Sequence, residues 1–183
     1  MTDPMTPPAA AQLLPPRRSE GAPYRLAVVC LGNICRSPMA HVVLERRIDE
    51  AGLGNDVEVV SAGTGDWHVG HPMDRRAAAV LTAAGYDASR HRAQQFADSW
   101  FGDCDLVLAM DASNLADITT LMPATAERGR VRMFRDFDPR ADADRDVPDP
   151  YYGGDDGFDS VLAMVERTAA ALVACLAHEV AGD

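Results

Sequence analysis

Short apolar stretches rich in branched residues alternate along the chain with longer segments in which apolar residues recur at helical spacing. The short stretches are typical of buried strands, and they span Tyr24 to Cys30, Val57 to Ser61, Asp105 to Met110 and Arg130 to Phe134. The longer segments predict helices, and they span Pro38 to Ala51, Pro72 to Ala84, Ser113 to Met122 and Phe158 to Glu179. This alternation indicates a single α/β domain whose parallel sheet is flanked by helices on both faces.

Two segments stand outside this pattern. The first 23 residues contain six prolines, and Leu13 and Leu14 are their only large aliphatic residues. This composition predicts a disordered Pro-rich leader in residues 1–23, followed by one domain in residues 24–183. The leader lacks the continuous apolar stretch of a secretory signal, so we expect a cytoplasmic protein. The loop from Phe137 to Asp156 is long for a compact domain, and such loops are often functional.

The formal net charge of -11 argues against nucleic acid or an anionic membrane as a partner, since both require clustered cations. No uninterrupted apolar run approaches the roughly 20 residues of a membrane span. The four cysteines lie at irregular positions, which favours free thiols over a disulfide framework. We expect a monomer that binds neither nucleic acid nor membrane.

No metal or cofactor is expected from the remaining motifs. The run from Asp142 to Asp146 resembles the start of a calcium loop, but Val147 stands where the turn glycine belongs. His68 and His71 lack further ligands at metal-binding spacing, which favours two surface imidazoles. The chain also lacks the lysine motif of nucleotide-binding loops and the dinucleotide fingerprint.

The segment with the clearest chemistry is Cys30-Leu31-Gly32-Asn33-Ile34-Cys35-Arg36-Ser37-Pro38, which joins the first predicted strand to the first predicted helix. Five residues separate Cys30 from Arg36, so the loop can curl around a tetrahedral anion with sulfur beneath it and a guanidinium beside it. The N–H groups between them are expected to form an anion nest, which also stabilises a thiolate. Gly32 and Asn33 permit the required backbone angles. Ser37 is a candidate donor to the departing thiolate.

The residues expected to bind the phosphate through this loop are Leu31, Gly32, Asn33, Ile34, Cys35 and Ser37. A cysteinyl-phosphate route also needs a proton donor for the leaving group and later a base for water. Asp149, in Asp149-Pro150-Tyr151-Tyr152 of the long loop, is the candidate for both roles. Tyr151, Tyr152 and Trp67 are candidate walls of a slot for a phenyl ring.

Four segments resemble the motifs of the low-molecular-weight protein-tyrosine phosphatases, in the same order and at similar spacing. They are residues 30–38, residues 61–64, residues 110–115 and residues 149–153. The resemblance covers about Tyr24 to His178. It implies a four-stranded parallel sheet with flanking helices and a phosphocysteine intermediate, which together predict a protein-tyrosine phosphatase acting on phosphotyrosine proteins.

The resemblance also implies that Asn33, Ser37 and Ser61 brace the phosphate loop and that His91 supports it. Relatives have arginine where this chain has Gln94, which places any ion pair of that arginine in doubt. A second hypothesis concerns Cys35, which shares the loop with Cys30. If Cys30 is oxidised to a sulfenic acid, Cys35 is placed in the sequence to trap it as a reversible disulfide.

Three other functions remain as alternatives. An arsenate reductase needs a further close pair of cysteines, and only Cys104 and Cys175 are left, far apart in the sequence. A protein-arginine phosphatase has threonine where Ile34 stands. A module that binds phosphoproteins without turnover needs neither a nucleophile nor an acid, so the joint presence of Cys30 and Asp149 argues against it.

Overall fold

The computed structural model describes Ala10 and residues 12–181. Four parallel strands form one sheet in the order β2-β1-β3-β4. The strands are β1 (Tyr24–Cys30), β2 (Val57–Gly63), β3 (Leu106–Ala109) and β4 (Val131–Met133). This sheet confirms the predicted α/β class. The bounds of β1 agree with the predicted strand, while the other three strands differ from their predictions by one or two residues at one or both ends.

Five α-helices connect and follow the strands among the described residues. They are α1 (Arg36–Glu50), α2 (Arg75–Ala83), α3 (Trp100–Asp103), α4 (Ala112–Leu121) and α5 (Asp156–Ala181). Two short 3₁₀ helices, Arg128–Arg130 and Phe134–Phe137, flank β4. The four-residue α3 was absent from the sequence prediction because it is too short to show a helical period.

Each face of the sheet carries its own apolar core. Leu26 and Val28 of β1 belong to the larger core, which they share with apolar residues of α1, α2 and α5. Ala27 and Val29 point to the opposite face, where they pack with residues of α3 and α4. Because residues 26–30 of β1 are buried on both faces, they form a continuous apolar run.

The last helix, α5, is long and apolar enough by length and composition to cross a membrane. Half of its most apolar window is buried inside the protein. Val161, Val165, Leu172 and Leu176 on that face belong to the larger core. The apolar residues of α5 therefore cover the sheet, as expected for an amphipathic core helix.

The leader predicted to be disordered has packing contacts in its described part, residues 12–23. Leu14 is buried against the larger core. The guanidinium of Arg18 donates hydrogen bonds to the backbone carbonyls of Phe101 at 2.6 Å and Cys104 at 2.9 Å. Composition alone does not reveal the partners of Arg18, which lie more than 80 residues away. The rest of the leader, residues 1–9 and 11, lies outside the described residues.

Candidate active site

A cavity of about 460 Å³ opens at the carboxyl end of β1. The chain continues from β1 to β2 on one side and later returns to β3 on the other side. This end of β1 is therefore the topological switch point, where open α/β sheets bind ligands. The residues that line the cavity are Cys30, Leu31, Gly32, Ile34, Cys35, Arg36, Trp67, His68, Asp149, Tyr151 and Tyr152.

Four carbonyl groups of the loop after β1 point away from this cavity, because each accepts a hydrogen bond from a neighbouring segment. Cys30 O accepts from Thr64 N and Leu31 O accepts from Gly65 N, both at 2.9 Å. Asn33 O accepts from His91 Nε2 at 2.7 Å, and Ile34 O accepts from Asp74 N at 2.8 Å. In a trans peptide the C=O and the N–H point in opposite directions, and the described residues contain no cis peptide. The N–H groups that consequently point inward are those of Leu31, Gly32, Ile34 and Cys35.

Asn33 is the central brace of the loop. It is fully buried and has a φ of 56°, a left-handed value that asparagine tolerates better than most residues. Its Nδ2 donates to Ser37 Oγ at 2.8 Å and to Ser61 Oγ at 3.1 Å, while its Oδ1 accepts from the backbone N–H of Gln94 at 2.9 Å. The backbone N–H of Asn33 lies 3.3 Å from the sulfur of Cys30. The side chain thus orients a donor toward the reactive sulfur.

Ser37 lies in the first turn of α1 and contacts the sulfur of Cys30. Helix α1 already begins at Arg36 and has no side-chain cap. The hydroxyl of Ser37 lies instead 3.0 Å from Cys30 Sγ and 3.3 Å from the carbonyl of Ala62. It is therefore placed to donate to the sulfur.

Arg36 is almost completely buried, with 2% of its surface exposed. Its Nη1 donates to the carboxylate of Asp111 and, at 3.0 Å, to the carbonyl of Val147, while its Nη2 lies 3.5 Å from Asp149 Oδ2. Burial lowers the pKa of Arg36, but the negative charges of Cys30, Asp111 and Asp149 outweigh burial and raise it. The guanidinium is therefore firmly cationic. Sequence reasoning assigned no role to Asp111, although it directly follows the third predicted strand.

The three aromatic side chains predicted as slot walls all line the cavity, and Trp67 and Tyr152 are the most exposed of its large hydrophobic residues, at 66% and 89%. Tyr151 and Tyr152 meet edge to face with ring centroids 4.9 Å apart. The guanidinium of Arg76 lies 5.4 Å from the Tyr151 ring centre and anchors that ring from behind. The backbone N–H of Tyr151 donates to Asp149 Oδ1 at 3.1 Å, which ties the carboxylate to this wall.

Two further residues in the cavity differ from their sequence interpretation. His68 was interpreted as a surface imidazole, but it lines the cavity and packs so closely on Gly32 that a Cβ there would lie 3.1 Å from its Cδ2. Cys35 is buried, and burial together with the charges of Asp74, Cys30 and Asp149 raises the pKa of its thiol to about 12. Cys35 is therefore a neutral thiol, and its role as an oxidation trap stays a prediction.

His91 and Gln94 hold the loop from behind. Burial lowers the pKa of His91 despite its hydrogen bond to Asn33. The neutral ring carries its hydrogen on Nε2, which donates to Asn33 O at 2.7 Å. Gln94 donates through its side chain to the carbonyl of Ser61 at 3.0 Å.

A sequence profile described as low molecular weight phosphotyrosine protein phosphatase matches residues 25–182. The chain belongs to this family. A low molecular weight protein-tyrosine-phosphatase of Streptomyces coelicolor is 49% identical over 160 residues, which cover 87% of this chain and 97% of the relative. Low molecular weight protein-tyrosine phosphatase A of Mycobacterium tuberculosis is 45% identical over 145 residues, which cover 79% of this chain and 86% of the relative.

Solved structures of phosphatases of this kind have the same fold. The crystal structure of YfkJ from Bacillus subtilis has a TM-score of 0.81 and 30% identity, covering 88% of this chain and 99% of that one. A protein tyrosine phosphatase from Entamoeba histolytica, with Hepes in its active site, has a TM-score of 0.79 and 32% identity, covering 84% and 97%. These likenesses confirm the predicted family, fold and enzyme class: the chain is a low-molecular-weight protein-tyrosine phosphatase, a hydrolase of phosphotyrosine.

Proposed function

We propose that this phosphatase hydrolyses phosphotyrosine in proteins in two steps, with Cys30 as nucleophile, Arg36 as phosphate clamp and Asp149 as general acid and base. The observation that supports these roles is their convergence in one cavity. The sulfur of Cys30 lies at the base of a loop with inward N–H groups, and Arg36 Nη2 lies 3.5 Å from the carboxylate of Asp149. The phosphate, the leaving oxygen and the acid therefore fit into one small volume.

In the first step, the loop and Arg36 bind the three equatorial oxygens of the phosphate. Nη1 of Arg36 already donates to Asp111 and Val147, so bidentate binding of phosphate uses its Nε and Nη2. The thiolate of Cys30 attacks phosphorus and the P–O bond to the tyrosine breaks. Asp149 gives its proton to the leaving phenolate oxygen, which then departs as a neutral phenol.

In the second step, water attacks the phosphocysteine. Asp149, now a carboxylate, takes the proton of the water, the S–P bond breaks, and inorganic phosphate leaves. The departing sulfur becomes a thiolate again. The hydroxyl of Ser37, at 3.0 Å, and the N–H of Asn33, at 3.3 Å, stabilise that charge.

The walls of the cavity support phosphotyrosine as the substrate. Trp67, Tyr151 and Tyr152 line an entrance that suits the flat ring of phosphotyrosine, and Leu31 and Ile34 add apolar surface. We expect the enzyme to act in the cytoplasm as a monomer, without cofactor or metal, and to bind neither nucleic acid nor membrane. Its charge of -11 supports the expectation about nucleic acid.

The deciding experiment is hydrolysis of p-nitrophenyl phosphate in EDTA at mildly acidic pH. We expect the intact protein to be active, Cys30→Ser to be inactive, and Asp149→Ala to lose about 10²- to 10⁴-fold in kcat. Asp155→Ala is the matched control, because Asp155 is an exposed carboxylate of the same loop and lines no part of the cavity. Absence of hydrolysis by the folded, reduced protein, or full activity of Cys30→Ser, would contradict the proposal.

A comparison of three substrates tests the specificity. Phosphotyrosine peptides should be hydrolysed, whereas phosphoarginine peptides should not, and arsenate should not be reduced. Faster hydrolysis of the phosphoarginine peptides would instead identify a protein-arginine phosphatase.

A further inference from the structure

The hydroxyl of Ser61 needs a partner beyond Asn33. Ser61 lies in β2 and is only 2% exposed. Its Oγ accepts a hydrogen bond from Asn33 Nδ2 at 3.1 Å, yet a hydroxyl also has one hydrogen to donate. Among the side chains that the structure describes, the acceptor within reach of that hydrogen is Nδ1 of His41, at 3.1 Å.

The other contact of His41 decides its tautomer. His41 lies in α1, and its Nε2 is 3.1 Å from Oε1 of Glu45, one helical turn further on. A carboxylate only accepts, so Nε2 carries the hydrogen, and Nδ1 of the neutral ring is then an acceptor. Arg90 also donates to Glu45, at 3.3 Å, and the pKa of Glu45 is lowered, most of all by its hydrogen bond with His41. The carboxylate is thereby kept ionised.

We infer that neutral His41 is a positioning residue for the phosphate-binding loop. By accepting the hydrogen of Ser61, it turns a lone pair of Ser61 Oγ toward Nδ2 of Asn33. Asn33 in turn orients its N–H toward Cys30 Sγ. His41 does not line the cavity that contains the sulfur. The inference rests on the proposed function, because its main effect is measured through turnover.

Protonation of His41 would reverse this arrangement. A second hydrogen on Nδ1 would point at Ser61 Oγ, and the buried hydroxyl would lose its acceptor, at the cost of an unsatisfied polar group. The groups that face His41 are Ser61 from β2, Glu45 from its own helix, and Asp87, Arg90 and His91 from the segment after α2. The hydrogen bond from Ser61 therefore requires a free lone pair on Nδ1 of His41.

Substitution of His41 by asparagine or glutamine distinguishes its contact with Ser61 from its contact with Glu45. The amide oxygen of asparagine is attached to Cγ, as Nδ1 is in histidine, so His41→Asn retains the acceptor for Ser61. Glutamine places its amide one atom further, toward Glu45, so His41→Gln loses that acceptor. We expect His41→Gln and His41→Ala to lose about three- to tenfold in kcat, with a smaller change in KM. His41→Asn should keep at least half of kcat.

His178→Ala is the matched control, because His178 is an exposed histidine in the last turn of α5. Thermal unfolding of every variant separates loss of fold from loss of positioning, and the Asn and Gln pair decides the matter if His41→Ala does not fold. Equal kcat in all His41 variants would overturn the inference. An equal loss in His41→Asn and His41→Gln would also overturn it, because His41 would then act by packing alone.

Binding of inorganic phosphate, measured by calorimetry, supplies a readout without turnover. Its affinity should fall in His41→Gln and His41→Ala but not in His41→Asn, and an unchanged affinity in all three would contradict the inference. Activity of the intact protein and its loss in Cys30→Ser are measured first. A failure of the proposed function is therefore recognised independently of the His41 variants.

Discussion

Replacement of Gly63 by alanine tests how closely strand β2 supports the phosphate-binding loop. Gly63 is the last residue of β2 and pairs with Cys30 in the sheet. A Cβ at this position would lie 2.7 Å from Leu31 O, 2.9 Å from Gly32 C and 3.0 Å from Asn33 N. All three are backbone atoms of the loop, so no side-chain rotation can relieve the contact and the loop itself must move.

The size of that movement follows from the distances. Ordinary contacts of a Cβ begin near 3.4 Å, so the contact with Leu31 O is about 0.7 Å too short. Overpacking of a rigid region costs about 1 to 3 kcal/mol of stability. Misplacement of catalytic groups by about 1 Å can cost about 10²-fold in rate. We therefore expect Gly63→Ala to lose between about 10- and 10²-fold in kcat.

The assay combines turnover of p-nitrophenyl phosphate with unfolding in urea. Gly102→Ala is the matched control, because Gly102 lies in α3 and its added Cβ would have nothing within 4 Å. That variant should keep its activity and its stability. If Gly63→Ala keeps kcat within twofold and unfolds at the same urea concentration as the intact protein, the loop is more compliant than these contacts imply and the reasoning is refuted.

Asp111→Asn should lower kcat about tenfold, because Arg36 loses a charge-assisted hydrogen bond while asparagine preserves the cap of α4; unchanged steady-state kinetics would contradict this. Asp138→Ala should cost about 3 kcal/mol at neutral pH in urea unfolding, since its buried carboxylate binds Arg135 and Arg167. Burial raises the pKa of Asp138, but these arginines hold it well below the ordinary value. Its contribution is therefore complete above about pH 4 and is lost as the pH falls further, so the difference between variant and intact protein should shrink in acid. Gln94→Ala should change kcat less than twofold, because Asn33 is held by the backbone N–H of residue 94. A larger loss of kcat would show that the loop also depends on the hydrogen bond from the Gln94 side chain to Ser61.

The parts of the fold that could be predicted are those with local causes. Residues 26–30 of strand β1 are buried on both faces and therefore appear in the sequence as an unbroken apolar run. The sequence predicts that Cys30 and Arg36 contact the same anion, because only five residues separate them. The candidate acid, Asp149, could be found because its neighbours Pro150 and Tyr151 distinguish it from other aspartates of the loop.

The parts that could not be predicted depend on contacts between distant segments. Arg36 and Asp111 are 75 positions apart, and no spacing rule relates them. His41 lies on a helix where an isolated polar residue normally indicates a solvated face, so its contact with Ser61 has no local signal. The packing of Arg18 on the carbonyls near α3 is equally invisible in a segment whose composition is typical of disorder.

The geometry of Asn33 explains why the loop depends on the whole sheet rather than on its own sequence. A left-handed asparagine carries a conformational cost that must be offset by its surroundings. Its partners come from α1 through Ser37, from β2 through Ser61, and from the segment after α2 through His91 and Gln94. Since β2 is an edge strand of the sheet, a local opening at that edge would release Ser61 and with it Asn33. The catalytic geometry is therefore only as stable as the pairing of β2 with β1.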